Sequence, residues 1–399
     1  MKVRIIGSTK PEFVLHKEEA MKFAGKAAGI CYMPEDFDAI LQEDEKKTLK
    51  RANGTLMSGH HSVYDHIYYN LLLENVPKIL AMILNNEGIY TTSEKSARYT
   101  KMEPSPEEQV LYDKWFQKFY DLIFEKYMTR YLRYFENDKN PYDKAVTAIK
   151  KLAQENARYM ISVFTNTTME YTVSFRQLNY ILTFFENFIA ADCGGWEFNI
   201  KLKSAMKEFV KAIPEEVKEL RLNSDEKDRK LSIFDERESR TEYFGETYCT
   251  TYKGTFAQYA QAHRHRTLWY KMRFLDNFEY YVPELIRDSE ELSEEWGRDI
   301  TSVAHLFPQG MLISIRERGT YENFILKCQE RLCGCAQLEI ALQTKKTLNK
   351  YLATTKASGE EEIHNYLSKY SKGARCTFPK FNCSKMCVWG PKDAFTRKI

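Results

Sequence analysis

Hydrophobic and polar positions change period several times along the chain. "KVRIIGST" at 2–9 reads as an opening strand, and "VLHKEEAMKFAGKAAGICY" at 14–32 has helical spacing. "DHIYYNLLLENV" at 65–76 is rich in β-branched and aromatic residues and predicts a strand. Residues 106–135 predict a long amphipathic helix, with Pro106 and two glutamates in its first turn. Further helix is expected at about 142–160 and 176–212. The most polar stretch, "NSDEKDRKLSIFDERESR" at 223–240, is the best boundary. After it the pattern restarts with a strand-like "ETYCTTYKG" and ends in a long helix from about Thr320 to Leu352. From Lys372 the periodicity fades into a tail with Pro, Gly and three Cys.

The two halves share little literal sequence but the same order of elements, which predicts a tandem repeat. The expected fold is α+β, with two tandem domains, each a sheet packed with long helices, plus a Cys-containing tail. The boundaries expected are 1–225, 226–371 and 372–399. A length of 399 residues suits two cores. The net charge of +3 disfavours a nucleic-acid binder held by a strong basic surface, while leaving room for a local anion site. No run reaches the roughly 18 apolar residues of a membrane span. The opening residues lack the apolar core of a secretory signal. With an odd count of nine Cys, this predicts a reducing, cytoplasmic setting without disulfides.

Three stretches carry candidate chemistry. "GHHSVYDHIYY" holds His60, His61 and His66, but their spacing fits no standard zinc pattern, and plain histidines on a polar surface explain them better than a metal does. In "TTSEKSARYT", Ser96 and Arg98 place a hydroxyl and a guanidinium at one turn, which suits a phosphate; a capped helix with an exposed Arg is the plainer alternative. In "QYAQAHRHRTLWYK", Arg264 and Arg266 flank His265 after an ordered element. That raises the local potential and favours a diphosphate or delocalised anion, unless the turn is merely solvated. Arg158 precedes an apolar run and Arg176 begins a helix. Arg331, Gln337 and Glu339 are expected on one helix among apolar residues, where core packing with incidental ion pairs would also place them.

Together these stretches resemble the flavin-dependent thymidylate synthases, whose hallmark joins Arg-His-Arg to Ser-x-Arg in one segment. Here the hallmark is split. In the first half, His60, Ser62 and His66 match the family's strand opening, and Glu94, Ser96, Arg98 and Tyr99 match the Ser-x-Arg end. Arg158 and Arg176 match two further arginines, while Asn86-Glu87-Gly88 occupies the Arg-His-Arg place. The second half keeps Gln261, Arg264, His265, Arg266 and Arg331, and an Ala336-Gln337-x-Glu339-Ile340 element. It has Phe274 and Asp276 for Ser-x-Arg, Ala304 for one arginine and Glu322 for the other. The losses are complementary.

The resemblance implies methylation of dUMP to dTMP, with FAD as cofactor and methylenetetrahydrofolate and NADPH as co-substrates. It implies Arg264, His265, Arg266 and Gln261 as catalytic. The cofactor side would be His60, Ser62, Arg176 and the Arg-His-Arg stretch, whose cations would stabilise a reduced flavin. The nucleotide side would be Glu94, Ser96, Arg98, Tyr99, Arg158, Gln261 and Arg331. A homodimer, a pseudo-tetramer of domains, is expected. Cys335 in place of His, Tyr180 in place of His or Asn, and Phe185 in place of Arg leave open a dCMP substrate or a hydroxymethyl product. A non-catalytic nucleotide-binding relic is a further reading. In the tail, Cys376, Cys383 and Cys387 could hold zinc or an iron–sulfur cluster, or be plain thiols.

Overall fold

The computed structural model describes residues 1–12, 16–100, 102–192, 194–218, 232–235, 241–384 and 386–399. Most of the polar stretch expected to hold the boundary lies outside the described residues, as do Val14 and Leu15 of the first expected helix. Strand β1 (Lys2–Ser8) is followed by α1 (Lys17–Tyr32), α2 (Glu45–Met57), β2 (Tyr68–Pro77), α3 (Lys78–Leu84) and β3 (Tyr90–Glu94). Helices α4 (Pro106–Tyr134) and α5 (Pro141–Ala157) lead to β4 (Asn166–Ser174), α6 (Phe175–Ala190) and α7 (Glu197–Ala212). The second half runs β5 (Tyr243–Phe244), β6 (Thr247–Thr255), α8 (Phe256–Ala262), β7 (Trp269–Phe274), α9 (Glu290–Ser302), β8 (Leu312–Thr320), α10 (Tyr321–Arg331) and α11 (Leu338–Ser358). None of the described helices is long and apolar enough to cross a membrane.

The chain divides into two compact units. The first comprises residues 1–95 and 166–232, the second 96–165 and 233–399. This differs from the linear division expected at 225/226 and 371/372. The physical reason is the core of the second unit. Trp115 of α4 meets Trp296 of α9 edge-on, with ring centres 4.8 Å apart, and Phe119 joins them. The helical pair α4–α5 therefore buries its apolar face against elements far along the chain. The tail joins the same core: Trp389 stands edge-on to Tyr127 at 5.1 Å, and Arg130 donates to the Val388 carbonyl at 3.0 Å. It is no separate domain.

Each unit holds a four-stranded antiparallel sheet, in the order β1-β2-β4-β3 in one and β5-β6-β8-β7 in the other. The parallel extends to the connections. In both halves the second strand runs into a short helix (α3 or α8), and the last strand into another (α6 or α10). Ser174 and Thr320 end those last strands, and each accepts a backbone N–H of the helix that follows. In β2, Tyr69, Leu71 and Leu73 are fully buried, the period-two pattern the sequence shows. A bulge then follows, with Asn75 at φ 58°, a conformation Asn tolerates.

Two expectations are corrected. The helix expected at 320–352 is two helices, interrupted between Arg331 and Leu338 by the Cys333-Gly334-Cys335 loop. The helix expected at 176–212 is likewise α6 and α7.

Candidate functional site

In the second unit, segments 96–165 and 255–339 build one polar cluster. Ser96, Arg98 and Tyr99 lie in a tight turn after β3, not at a helix start: the Tyr99 and Thr100 N–H groups return to the Ser96 carbonyl at 3.0 and 2.9 Å. Gln154 of α5 clamps this turn through the Ala97 and Thr100 carbonyls at 3.1 and 2.8 Å. Arg98 Nε pairs with Glu155, and its Nη2 donates to the Cys335 carbonyl at 2.9 Å. The exposed Tyr99 ring lies 5.3 Å from the Arg98 guanidinium.

Arg158 ends α5 and is buried. Its Nη2 donates to Gln337 Oε1, which also accepts from Gln261 Nε2. Gln337 Nε2 in turn donates to Tyr159 OH, and Tyr159 donates to Glu339 at 2.8 Å. Glu339 also accepts the Thr255 N–H at 2.9 Å and its hydroxyl at 2.8 Å. The chain of donors thus runs from Arg158 and Gln261 through Gln337 and Tyr159 to one buried carboxylate. Burial raises the Glu339 pKa, although these hydrogen bonds oppose the shift. Two buried polar atoms of the cluster lack a partner, Arg158 Nε and Gln261 Oε1. An unpartnered buried donor and an unpartnered buried acceptor are each costly, and a polar ligand would satisfy them.

The Arg-His-Arg stretch follows α8, as expected. Arg264 is half-buried, His265 buried and Arg266 exposed. Arg331, the last residue of α10, donates through Nε to His265 Nε2 at 2.7 Å. That tautomer carries its proton on Nδ1, which faces Glu330 at 3.9 Å. Burial, and then the Arg331 charge, push the imidazole down to about 2. His265 is therefore neutral, which corrects its expected share in a cationic trio. Arg331 itself is lowered by burial, and the Arg98 and Arg264 charges add to that effect. Arg98, Arg158, Arg264 and Arg331 thus concentrate positive charge on one buried cluster, an arrangement suited to a multiply charged anion.

The other expected residues lie in the first unit. His60 precedes a 3-10 turn at His61–His66, and its Nδ1 meets Tyr32 OH at 3.0 Å. Ser62 is exposed in that turn. Arg176, at the start of α6, donates to Asp65 at 2.6 Å and to Tyr180 OH at 3.2 Å. Glu94 is buried against Lys78 and accepts from Asn85, a structural ion pair. Among the described residues, no group of three or more His, Cys, Asp or Glu could hold a metal ion. The described residues thus do not gather Cys376, Cys383 and Cys387, or His60, His61 and His66, into such a group.

Sequence reasoning missed Tyr159, Glu155 and Thr255. The only local signal was Glu155, one turn before Arg158 on the same helix.

Comparisons with known proteins follow the same lines. A family model described as "Thymidylate synthase complementing protein" matches residues 12–215, just over half of the chain. A flavin-dependent thymidylate synthase of Clostridium tetani is 24% identical over 214 residues, covering 48% of this chain and 79% of that protein. Among solved structures, the flavin-dependent thymidylate synthase ThyX of Helicobacter pylori, complexed with FAD and dUMP, is 18% identical. It covers 55% of this chain and 97% of its own, with a TM-score of 0.30. The UMP/dUMP methylase PolB of Streptomyces cacaoi, bound with 5-Br dUMP, is 16% identical over 54% of this chain and 93% of its own, also at 0.30.

Proposed function

Because the chain belongs to the flavin-dependent thymidylate synthase family and is a methyltransferase-like enzyme, we propose that it methylates dUMP at C5 to give dTMP. The observation that carries this reading is the cluster of Arg98, Arg158, Arg264 and Arg331, in which two buried polar atoms, Arg158 Nε and Gln261 Oε1, lack a partner. The donor set fits the nucleotide. Arg98, Arg158 and Arg331, with the Ser96 hydroxyl, offer charge-assisted hydrogen bonds to a phosphate. Gln261 Oε1 accepts an N–H from the pyrimidine edge, and Arg158 Nε donates to a ring carbonyl. Gln337 and Tyr159 hold both side chains in place, so orientation is set before substrate arrives.

The donor set also fits a flavin. Arg264 and Arg266 offer cations to its diphosphate and to a reduced ring, with neutral His265 between them as a hydrogen-bonding group. His60, Ser62 and Arg176 are assigned to the cofactor side on the family pattern. FAD, when bound and reduced by NADPH, supplies the hydride that completes the methyl group brought by methylenetetrahydrofolate. The split hallmark and the shared strand order support a duplicated, fused chain that works as a homodimer, a state gel filtration tests.

The test is direct. Purified protein is examined for bands near about 370 and 450 nm and for released FAD. It is then incubated with dUMP, methylenetetrahydrofolate and NADPH, and the products are separated by mass spectrometry. dTMP is expected. A hydroxymethylated product, or conversion of dCMP only, selects the related modification. A colourless protein that takes up no added FAD leaves a nucleotide-binding relic.

A further inference from the structure

Three of the eight described cysteines meet at one place. The loop between α10 and α11 carries Cys333 and Cys335, and the tail brings Cys387 to it. The Cys335 N–H points at Cys333 Sγ at 3.4 Å. Cys387 Sγ lies so close to Gly334 that a Cβ there would sit 2.8 Å from it, so only glycine admits that sulfur. Cys333 and Cys335 flank Gly334, so the Cys387 sulfur stands against the loop position that separates them. Cys335 is exposed, whereas Cys333 is buried and Cys387 half-buried.

The tail sulfur is held where it is. Arg130 grips the Val388 and Trp389 carbonyls at 3.0 and 3.2 Å, and the Trp389 ring packs edge-on to Tyr127. On the loop side, Arg397 donates to the Ala336 carbonyl at 2.6 Å and Arg98 to the Cys335 carbonyl at 2.9 Å. The loop and the tail sulfur are therefore both anchored, and both belong to one unit.

We propose that Cys335 and Cys387 form a thiol–disulfide exchange site, oxidised by a low-molecular-mass disulfide such as oxidised glutathione, with Cys333 as a positioning residue. The Cys387 thiolate attacks one sulfur of the oxidant and expels one thiolate, which takes the Cys335 proton. The Cys335 thiolate then attacks Cys387 Sγ and expels the second. Two protein thiols become one disulfide, and one oxidant disulfide becomes two thiols. Field and exposure together favour this order. Cys335 lowers the pKa of both Cys333 and Cys387, and of these two thiols Cys387 is the less buried, so the oxidant meets it first; two sulfur neighbours raise the pKa of Cys335. Cys328, fully buried nearby in sequence, has its pKa raised by burial and takes no part.

The experiment uses the full chain. It is equilibrated in oxidised and reduced glutathione, quenched with N-ethylmaleimide, digested and read by mass spectrometry. A peptide joining Cys335 to Cys387, lighter by two hydrogens and reversed by dithiothreitol, is expected, with a raised melting temperature for the oxidised form. Cys335→Ser should stop at a glutathione adduct on Cys387. Should that variant fail to fold, Cys387→Ser should leave only an adduct on Cys335. Three results overturn the proposal: separate adducts on both residues in the unaltered chain, a disulfide at Cys387 that persists in Cys335→Ser, or purified protein holding one zinc or iron per chain that Cys335→Ser releases.

Discussion

His265 gives the sharpest test of the site's electrostatics. Its folded pKa is about 2, against the ordinary imidazole value of 6.5, because it is buried and receives the Arg331 N–H. Below pH 6.5 the unfolded chain takes up a proton that the folded chain refuses. Stability is therefore lost as pH falls, over the window from 6.5 down to about 2. At pH 5 the unfolded state gains RT ln(1 + 10^1.5), about 2 kcal/mol, from this one group. Any folded value below about 4 gives the same result at that pH. His265→Gln removes the term and keeps an acceptor for Arg331 through the amide oxygen. Glu339 shifts the opposite way, but it is common to both chains and cancels in the difference. The assay is urea unfolding at pH 8 and pH 5, followed by tryptophan fluorescence. Four of the five tryptophans, at 115, 269, 296 and 389, report on the unit that holds His265. The unaltered chain should lose about 2 kcal/mol more than His265→Gln between the two pH values. Equal losses would mean that the folded imidazole takes up a proton, and the neutral assignment would fall.

Five further substitutions probe the same unit. Tyr159→Phe removes a donor to Glu339 and leaves Gln337 Nε2 without its acceptor, so unfolding by urea should show a loss of about 2–4 kcal/mol, and dUMP affinity should weaken. Arg98→Ala should abolish dUMP binding in calorimetry while the flavin absorbance stays; Arg264→Ala should do the reverse, and loss of FAD alone in both would refute the division of roles. Lys327→Met leaves the fully buried Glu317 carboxylate, 2.5 Å from Lys327 Nζ, without its counter-charge, and should cost about 3–5 kcal/mol. Adding Glu317→Gln should recover most of that loss.

How much of this was legible depended on range. The opening strand, the helix at 106–134, the strand at 247–255 and the order shared by the halves followed from local period and punctuation. So did the position of Arg264-His265-Arg266 after a short helix. The break between α10 and α11 was not legible, because Cys, Gly and Ala between two apolar runs continue a helical stripe as readily as they interrupt it. What holds the interruption open is distant: Arg98, Arg397 and Arg158 engage Cys335, Ala336 and Gln337 across 237, 61 and 179 residues. The neutrality of His265 was hidden for the same reason. Two flanking arginines suggest a cationic patch, but a third, 66 residues on, decides the tautomer. The linear domain division failed because apolar periodicity shows which face is buried and not what buries it.

Arg158 owes its setting in the second unit partly to a pairing just beyond it. Ser162, shortly after Arg158, and Pro308, shortly after Ala304, pair antiparallel with each other. The Val163 N–H reaches the Phe307 carbonyl at 2.9 Å, and the Gln309 N–H reaches that of Ile161 at 2.7 Å. Arg158 stands on one side of this pairing, joined to Gln261 through Gln337, and Ala304 stands on the other. Burying a guanidinium without a partner is expensive. A pairing that carries one arginine and one alanine incurs that cost once, and Gln337 offsets part of it on the side where Arg158 stands.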